Sequence, residues 1–137
     1  MALDADTLKQ VPLFSSLSGE DLEELVPLFN ERSFAIGHEI TKEGAPGFGF
    51  FVIESGTARV TVHGEDRHSL GPGDYFGEIA LLDPGPRLAT ITTESPLVAH
   101  HLSATEFRKL VKGNAALSWS LLEGLTTILR KNEPEDD

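Results

Sequence analysis

The sequence predicts a mainly β fold, an antiparallel β-roll (a jelly roll, or double-stranded β-helix) with helices before and after it. Short runs rich in β-branched and aromatic residues fill the middle of the 137-residue chain. Glycine-containing turns separate these runs at intervals of about 8–12 residues, as in β-sandwiches and barrels. Apolar residues recur at helical spacing near both ends. We therefore predict N-terminal helices over 1–30, a roll over 31–102, two C-terminal helices over 103–132 and a frayed tail over 133–137.

The N-terminal helix is predicted from a capping pattern. Ser18 is a residue type that caps helices, and Asp21 follows three residues later. Pro27 interrupts the apolar pattern, so the helix is expected to kink or end near it. The apolar positions at helical spacing are Leu22, Leu25, Val26 and Phe29.

The roll is predicted from six runs: RSFAIGHEITKEG, FGFFVIESG, TARVTVHG, EDRHSLGPGD, RLATITTES and PLVAHHL. Alternation is clearest in the third run, where Ala58, Val60 and Val62 share one face of the strand. One segment interrupts the strands. Gly77 to Leu82 (GEIALL) is rich in helix formers and predicts a short helix.

The C-terminal helices follow a second capping pattern, Ser103 with Glu106, which predicts a helix from about Ala104 to Val111. A Gly-Asn pair then breaks the chain before the last helix. That helix carries a wide apolar stripe and is expected to pack against two surfaces. The stripe consists of Leu117, Leu121, Leu122, Leu125, Ile128 and Leu129.

Composition and charge exclude several classes of protein. The chain has no cysteine, which excludes disulfides and thiolate metal sites. No apolar stretch approaches the roughly 20 residues that span a bilayer, and the acidic N-terminus lacks the apolar core of a signal peptide. Eleven Lys and Arg against 22 Asp and Glu give a net charge of −11, which argues against nucleic-acid binding by this chain alone. We expect a cytoplasmic protein without a membrane partner.

The segment from Gly77 to Arg87 predicts an anion site. A helix that begins with glycine leaves backbone N–H groups free and lets an anion approach them closely. The turn DPGPR then brings Arg87 back toward that helix. Glu78 would repel an anion, so it needs a donor, either a sugar hydroxyl or Arg87 itself. An acceptor beside a phosphate clamp favours a nucleotide ribose-phosphate.

Residues 74–90 resemble the phosphate-binding cassette of cyclic-nucleotide-binding domains, the superfamily of catabolite activator protein and the protein kinase A regulatory subunit. The residues that match its pattern are Phe76, Gly77, Glu78, Ile79, Ala80, Leu81, Pro86, Arg87, Ala89 and Thr90. The resemblance extends over nearly the whole chain. It implies that Arg87 pairs with the exocyclic oxygen of the cyclic phosphate and that Glu78 accepts from the ribose 2′-hydroxyl. It also implies that Gly77, Ala80 and Leu88 lend backbone amides.

The resemblance further implies where the base lies. It would rest against Val62 and the Leu88 side chain, under the last helix at Ile128 and Leu129. The family often has Ala, Ser or Thr at the position of Leu88, and Thr there favours guanine, so Leu88 favours adenine. Phe48 stands where many members have an acidic or polar residue. The predicted ligand-binding residues are Gly77, Glu78, Ile79, Ala80, Arg87, Leu88, Ala89 and Val62.

Three functions follow as alternatives. The first is a regulatory module that binds cAMP, possibly cGMP, without a cofactor. Movement of its last helix would act on an effector in trans or on a second copy. The second is a protein of this fold that has lost its ligand and serves as an interaction module.

The third alternative is a cupin-like metal enzyme, because GPGDYF is similar to the cupin PxG turn. That enzyme needs two histidines on one strand face, whereas His100 and His101 are adjacent and point to opposite faces. His63 and His68 flank a predicted hairpin and are interpreted as exposed turn residues. We expect no metal site and no catalysis. Trp119 is predicted to pack in the core or an interface.

Overall fold

The computed structural model describes residues 3–46, 49–83 and 85–131. Its strands are β1 (Asn30–Phe34), β2 (Glu39–Thr41), β3 (Gly49–Ser55), β4 (Ala58–Val62), β5 (Glu65–Leu70), β6 (Tyr75–Phe76), β7 (Thr90–Thr93) and β8 (Leu97–Ser103). They form two four-stranded antiparallel sheets, in the orders β1-β8-β3-β6 and β2-β7-β4-β5. The helices are α1 (Ala5–Lys9), α2 (Gly19–Leu25), α3 (Ala104–Lys112) and α4 (Ala115–Lys131). The predicted β-roll with flanking helices is confirmed.

Both predicted helix starts are confirmed by side-chain caps. The Ser18 hydroxyl accepts from the Asp21 N–H, and the Asp21 carboxylate accepts from the Ser18 N–H, which completes a capping box. The Ser103 hydroxyl accepts from the Glu106 N–H at 3.1 Å at the start of α3. At Pro27 the chain leaves α2 and forms a 3₁₀ turn over Val26–Leu28, as the break in the apolar pattern predicted.

The strands differ from the prediction in two places. The first predicted run forms two strands, because the chain turns at Gly37, whose φ of 82° is accessible mainly to glycine. β6 was not predicted, since its two residues are too few to show a period. The segment predicted as a short helix is confirmed as helical, but it is a 3₁₀ helix of four residues (Glu78–Leu81), the cassette helix.

The strand β3 lies between two hydrophobic cores. Phe50 and Val52 face a core shared with the helices, whereas Phe51 and Ile53 face a core between the two sheets. All four side chains are buried because successive residues of a central strand point to opposite covered faces. Burial on both faces holds β3 in place beside the cassette helix.

The last helix packs through one side only. Leu117 and Leu121 of α4 are buried, and Gly124 lies against the backbone of a 3₁₀ turn over Pro12–Phe14. Leu122 and Leu129 are 53% and 65% exposed, so the second predicted contact surface of the stripe is uncovered. The exposed fraction of Trp119 is also 65%, so Trp119 does not pack in the core.

Two predictions concern residues that lie outside the described ranges. One is the difference from the family pattern at Phe48, and the other is the frayed tail over 133–137. Of the helices in the described ranges, none has both the length and the apolar character needed to cross a bilayer. Within the same ranges, no group of three or more His, Asp or Glu side chains is arranged to hold a metal ion.

Candidate functional site: a cavity beside the cassette helix

The backbone holds Arg87 at the point where the loop after the cassette helix joins β7. The Arg87 N–H donates to the Ala45 carbonyl at 2.8 Å, and the Arg87 carbonyl accepts from the Gly44 N–H at 2.9 Å. These bonds continue the pairing of β2 with β7 outward and join Arg87 to the loop that follows β2. The Arg87 side chain therefore leaves the backbone from a fixed position.

The Arg87 guanidinium is anchored by main chain. Its Nη2 donates to the Gly49 carbonyl at 2.7 Å. Gly77 has a φ of 87°, and a Cβ at this position would lie 2.5 Å from both the Arg87 Nη1 and the Gly49 carbonyl oxygen. A Cβ at Gly49 would lie 2.5 Å from His101 Nε2. Glycine is thus required at both positions because guanidinium, carbonyl and imidazole pack against bare backbone.

No carboxylate forms an ion pair with Arg87 in the parts of the chain that the structure describes. The ion pairs there join Arg59 to Asp66, His63 to Glu43, His100 to Glu54 and Lys109 to Glu106. Glu78 nevertheless lies near enough to Arg87 for each to influence the pKa of the other. The site therefore holds a cation whose charge is only partly compensated.

Burial dominates the electrostatics of this site. It raises the pKa of Glu78, although the backbone N–H of Glu78 and the Arg87 guanidinium both act to lower it. It lowers the pKa of Arg87, but a guanidinium stays charged at neutral pH. Burial, with Arg32 and Arg87, lowers the pKa of His101 to about 4, so His101 is neutral at physiological pH. A donor to Glu78 and an anion at Arg87 would each offset a cost that burial imposes.

A cavity of about 560 Å³ opens beside these groups. One wall is the cassette helix and the loop to Arg87, and the opposite wall is the inner face of the second sheet. The exposed fraction of Leu88 is 85%, so its side chain does not fill the cavity. The lining residues are Thr41, Val60, His68, Leu70, Tyr75, Phe76, Gly77, Glu78, Ile79, Ala80, Asp83, Gly85, Pro86, Arg87, Leu88, Ala89 and Ile91.

Residues 31–114 match the family described as the cyclic nucleotide-binding domain. The chain belongs to this family. It is 37% identical, over 76% of its length, to the cAMP-dependent protein kinase regulatory subunit of Emericella nidulans, and the match spans only 26% of that relative.

Two solved structures share the fold of this cyclic nucleotide-binding domain. The first is the N-terminal domain of a transcriptional regulator from Streptomyces coelicolor A3(2), with 28% identity, a TM-score of 0.81 and coverage of 93% of this chain and 95% of that one. The second is a cyclic nucleotide-binding-like protein from Brucella abortus, with 26% identity, a TM-score of 0.72 and coverage of 80% and 97%.

Most residues predicted to bind ligand in this cyclic nucleotide-binding domain line the cavity: Gly77, Glu78, Ile79, Ala80, Arg87, Leu88 and Ala89. Val62 does not. It lies at the hairpin end of β4, and Val60, two residues earlier on the same face, lines the cavity instead. The Ala80 N–H donates to the Gly77 carbonyl at 3.0 Å within the cassette helix, so this amide already has an acceptor.

In the described part of this cyclic nucleotide-binding domain, the last helix does not cover the cavity as the resemblance led us to expect. Neither Ile128 nor Leu129 is among the described lining residues. The helix α4 that carries them lies on the N-terminal 3₁₀ turn instead, where Gly124 lets the two backbones approach closely. Within residues 115–131, α4 therefore leaves the cavity uncovered on the side where the family resemblance places a lid.

Sequence reasoning missed two parts of this site. The role of the Gly49 carbonyl as the acceptor for Arg87 could not be predicted from the sequence, because the two residues lie 38 positions apart. His68 was interpreted as an exposed turn residue; it is exposed as predicted, but it lies in β5 and lines the cavity. Alternation back from the apolar Leu70 places His68 on the same face, whereas alternation forward from the hairpin does not, because a bulge lies between Asp66 and His68.

Proposed function

We propose that this chain is a regulatory module that binds a 3′,5′-cyclic nucleotide, cAMP in preference to cGMP. The observation that carries the proposal is that a cation, Arg87, and a carboxylate, Glu78, line the same open cavity without forming an ion pair. A cyclic nucleotide carries one negative charge, which suits the Arg87 guanidinium, and a free ribose 2′-hydroxyl, which can donate to the Glu78 carboxylate.

The phosphate would bind at Arg87. One Nη of Arg87 is engaged by the Gly49 carbonyl, and the rest of the guanidinium fork keeps further donors for a planar pair of oxygens. Half-burial strengthens such contacts, because the surrounding dielectric is lower than in water. The single charge of a cyclic phosphodiester matches one arginine better than the higher charge of AMP or ATP does.

The ribose would bind at Glu78. A half-buried carboxylate with a raised pKa gains most from a neutral donor, because a hydroxyl satisfies it without adding charge. Glu78 and Arg87 line the same cavity, so a single sugar phosphate can contact both. This arrangement supports a ribonucleotide over a deoxyribonucleotide.

Two observations support cAMP over cGMP. Leu88 supplies no hydroxyl at the position where the family resemblance associates threonine with guanine. The relative from Emericella nidulans is a cAMP-dependent protein kinase regulatory subunit. The whole-protein activity of that relative does not follow, because this chain spans only about a quarter of its length.

The regulatory output would come from the C-terminal helices. α3 packs beside the cassette helix, where buried Leu81 of the cassette and Phe107 of α3 belong to one core. Ligand contacts that shift the cassette helix would reach α3 through this core and then α4. An effector in trans, or a second copy of the chain, would respond to the new position of α4.

The test is calorimetric titration with cAMP and cGMP. We expect cAMP to bind and Arg87→Gln to weaken binding by about 10- to 100-fold, the effect of losing one or two charge-assisted hydrogen bonds. The matched control is Arg108→Gln, an exposed arginine of α3 outside the cavity, which should bind like the wild type. Equal loss in both variants, or no heat with either nucleotide, would refute the proposal.

An interaction module without ligand is the second candidate. The exposed apolar side chains of Trp119, Leu122 and Leu129 on α4 favour it. Sedimentation separates the two functions. Self-association that cAMP leaves unchanged, together with an absent thermal shift, would favour the second candidate, whereas a cAMP-dependent change supports the first.

A further inference from the structure

The floor of the cavity is a row of four side chains that cross the second sheet. Thr41 of β2 pairs with Ile91 of β7, Ile91 pairs with Val60 of β4, and Val60 pairs with His68 of β5. Directly opposed residues of antiparallel strands share a face, so all four point to the same side of the sheet. All four line the cavity. His68 ends this row on the edge strand, farthest from the cassette.

A β-bulge turns His68 inward. Thr61 pairs with Asp66 and Val60 with His68, so Arg67 is an extra residue without a partner on β4. In a regular strand Asp66 and His68 would share a face. The bulge instead leaves Asp66 on the outer face, where it pairs with Arg59 at 3.3 Å. His68 lies on the inner face with Val60, and its side chain remains exposed to solvent at the edge of the sheet.

His68 has free hydrogen-bonding capacity at its end of the row. Thr41, the other polar member, already donates its hydroxyl to the Ala89 carbonyl at 3.3 Å. Asp83, a polar lining residue within the cassette, is also engaged, because its carboxylate accepts from the Gly85 N–H at 3.0 Å. Among the described residues, no protein hydrogen bond engages the His68 ring. A neutral imidazole both donates and accepts, as the edge of a nucleobase does.

The distance from Arg87 to the edge strand β5 favours a ligand with a long base. Neighbouring strands lie about 4.8 Å apart, so β5 lies roughly 10 Å from β7, the strand that follows Arg87. A ribose bound at Glu78 would direct its base along the apolar row toward β5. A bicyclic purine reaches farther across this row than a single pyrimidine ring does.

We propose that His68 is a specificity-determining residue that recognises the outer edge of a purine base. This inference rests on the proposed function, because it needs the sugar phosphate bound at Arg87 and Glu78. His68 donates to a ring nitrogen of the purine or stacks at its edge, and Ile91 and Val60 pack against the face of the base. A pyrimidine cyclic nucleotide leaves His68 without a contact.

The experiment compares the affinities of cAMP, cGMP and cyclic CMP for the wild type and for three variants. We expect His68→Ala to weaken binding of the preferred purine nucleotide by about three- to tenfold, the effect of one neutral hydrogen bond. Binding of cyclic CMP should be unchanged. His68→Asn, which keeps a donor and an acceptor, should retain part of the preference. His38→Ala removes an exposed histidine outside the cavity and should match the wild type.

The outcomes separate the two proposals. If the wild type binds a purine cyclic nucleotide and His68→Ala keeps the same purine-to-pyrimidine ratio, the role of His68 is refuted and the proposed function stands. If His68→Ala weakens all three nucleotides equally, the effect is structural and the inference also fails. A wild type that binds none of them refutes both. Unchanged thermal unfolding of the variants excludes misfolding as the cause.

Discussion

Arg87 is held in place by backbone atoms. The Gly49 carbonyl anchors Nη2 at 2.7 Å, and bare backbone at Gly77 accommodates Nη1. A carbonyl carries a partial charge only, so it orients the guanidinium without neutralising it. A carboxylate in the same place would do both and would compete with an anionic ligand. Anchoring by a carbonyl therefore suits an arginine whose charge is needed for binding.

His101 lies directly behind this anchor. Its Nε2 occupies the space beside Gly49, its ring packs on Phe51 with centroids 4.6 Å apart, and its side chain is buried. Arg32 and Arg87 both disfavour a positive charge on this ring. A neutral His101 lets the anchor coexist with two arginines, and protonation would place a third cation among them.

The lowered pKa of His101 predicts a loss of stability in acid. The unfolded chain takes up this proton near pH 6.5 and the folded chain only near pH 4. The stabilisation is therefore complete above pH 6.5 and is lost as the pH falls toward 4, by up to about 3 kcal/mol. Urea unfolding across this range should show a shallower pH dependence for His101→Gln than for the wild type. Parallel curves would contradict the assigned pKa.

At the scale of elements, the position of α4 depends on one close approach. Gly124 lies against the carbonyl of Leu13, so a Cβ there would collide with backbone. Glycine usually weakens a helix interior, by about 1 kcal/mol relative to alanine. Its presence in α4 has a structural reason, because it lets α4 pack on the N-terminal 3₁₀ turn. The close approach of α4 to this turn thus requires that position 124 carry no side chain.

We therefore expect Gly124→Ala to reverse the usual effect of a glycine-to-alanine change in a helix. The collision should shift α4 away from the 3₁₀ turn and lower the free energy of unfolding by about 1–3 kcal/mol. Differential scanning calorimetry and amide exchange along α4 measure the two effects. Gly113→Ala is the control, since a Cβ there meets its nearest atom at 3.6 Å. A stabilised Gly124→Ala variant would contradict the close approach.

At the scale of the whole molecule, the field opposes the ligand that we propose. The net charge is −11, so an approaching anion is repelled until it reaches Arg87. The binding energy must therefore come from short-range contacts. This contrasts with nucleic-acid binding, in which a positive global field supplies much of the affinity.

The rate of ligand association should consequently rise with salt. Screening at an ionic strength of about 0.15 M shortens the reach of surface charges to about 8 Å. We therefore expect association to be about two- to threefold faster than at low salt. Stopped-flow fluorescence with a labelled cAMP measures this rate. Asp83→Asn removes one charge at the cavity and keeps an acceptor for the Gly85 N–H, so it should bind faster at low salt. A rate that falls with salt would show that the local positive field dominates.

The sequence by itself determined the features that depend on neighbours in the chain. Ser18 and Ser103 predicted helix starts because a cap bonds three residues ahead. Alternation and turn residues predicted the roll, and the cassette pattern predicted seven of the residues that line the cavity.

Only the tertiary structure decided the features that depend on distant pairing. The Gly49 anchor depends on a contact across 38 positions, the orientation of His68 relative to Asp66 depends on a bulge in the pairing of β5 with β4, and the place of the cavity along β4 brings Val60 to its wall in place of Val62. A bulge of one residue moves side chains between faces without altering the composition of the strand. The packing of α4 also depends on residues distant in the chain. Its apolar stripe predicted that the helix packs, but not which surface it covers.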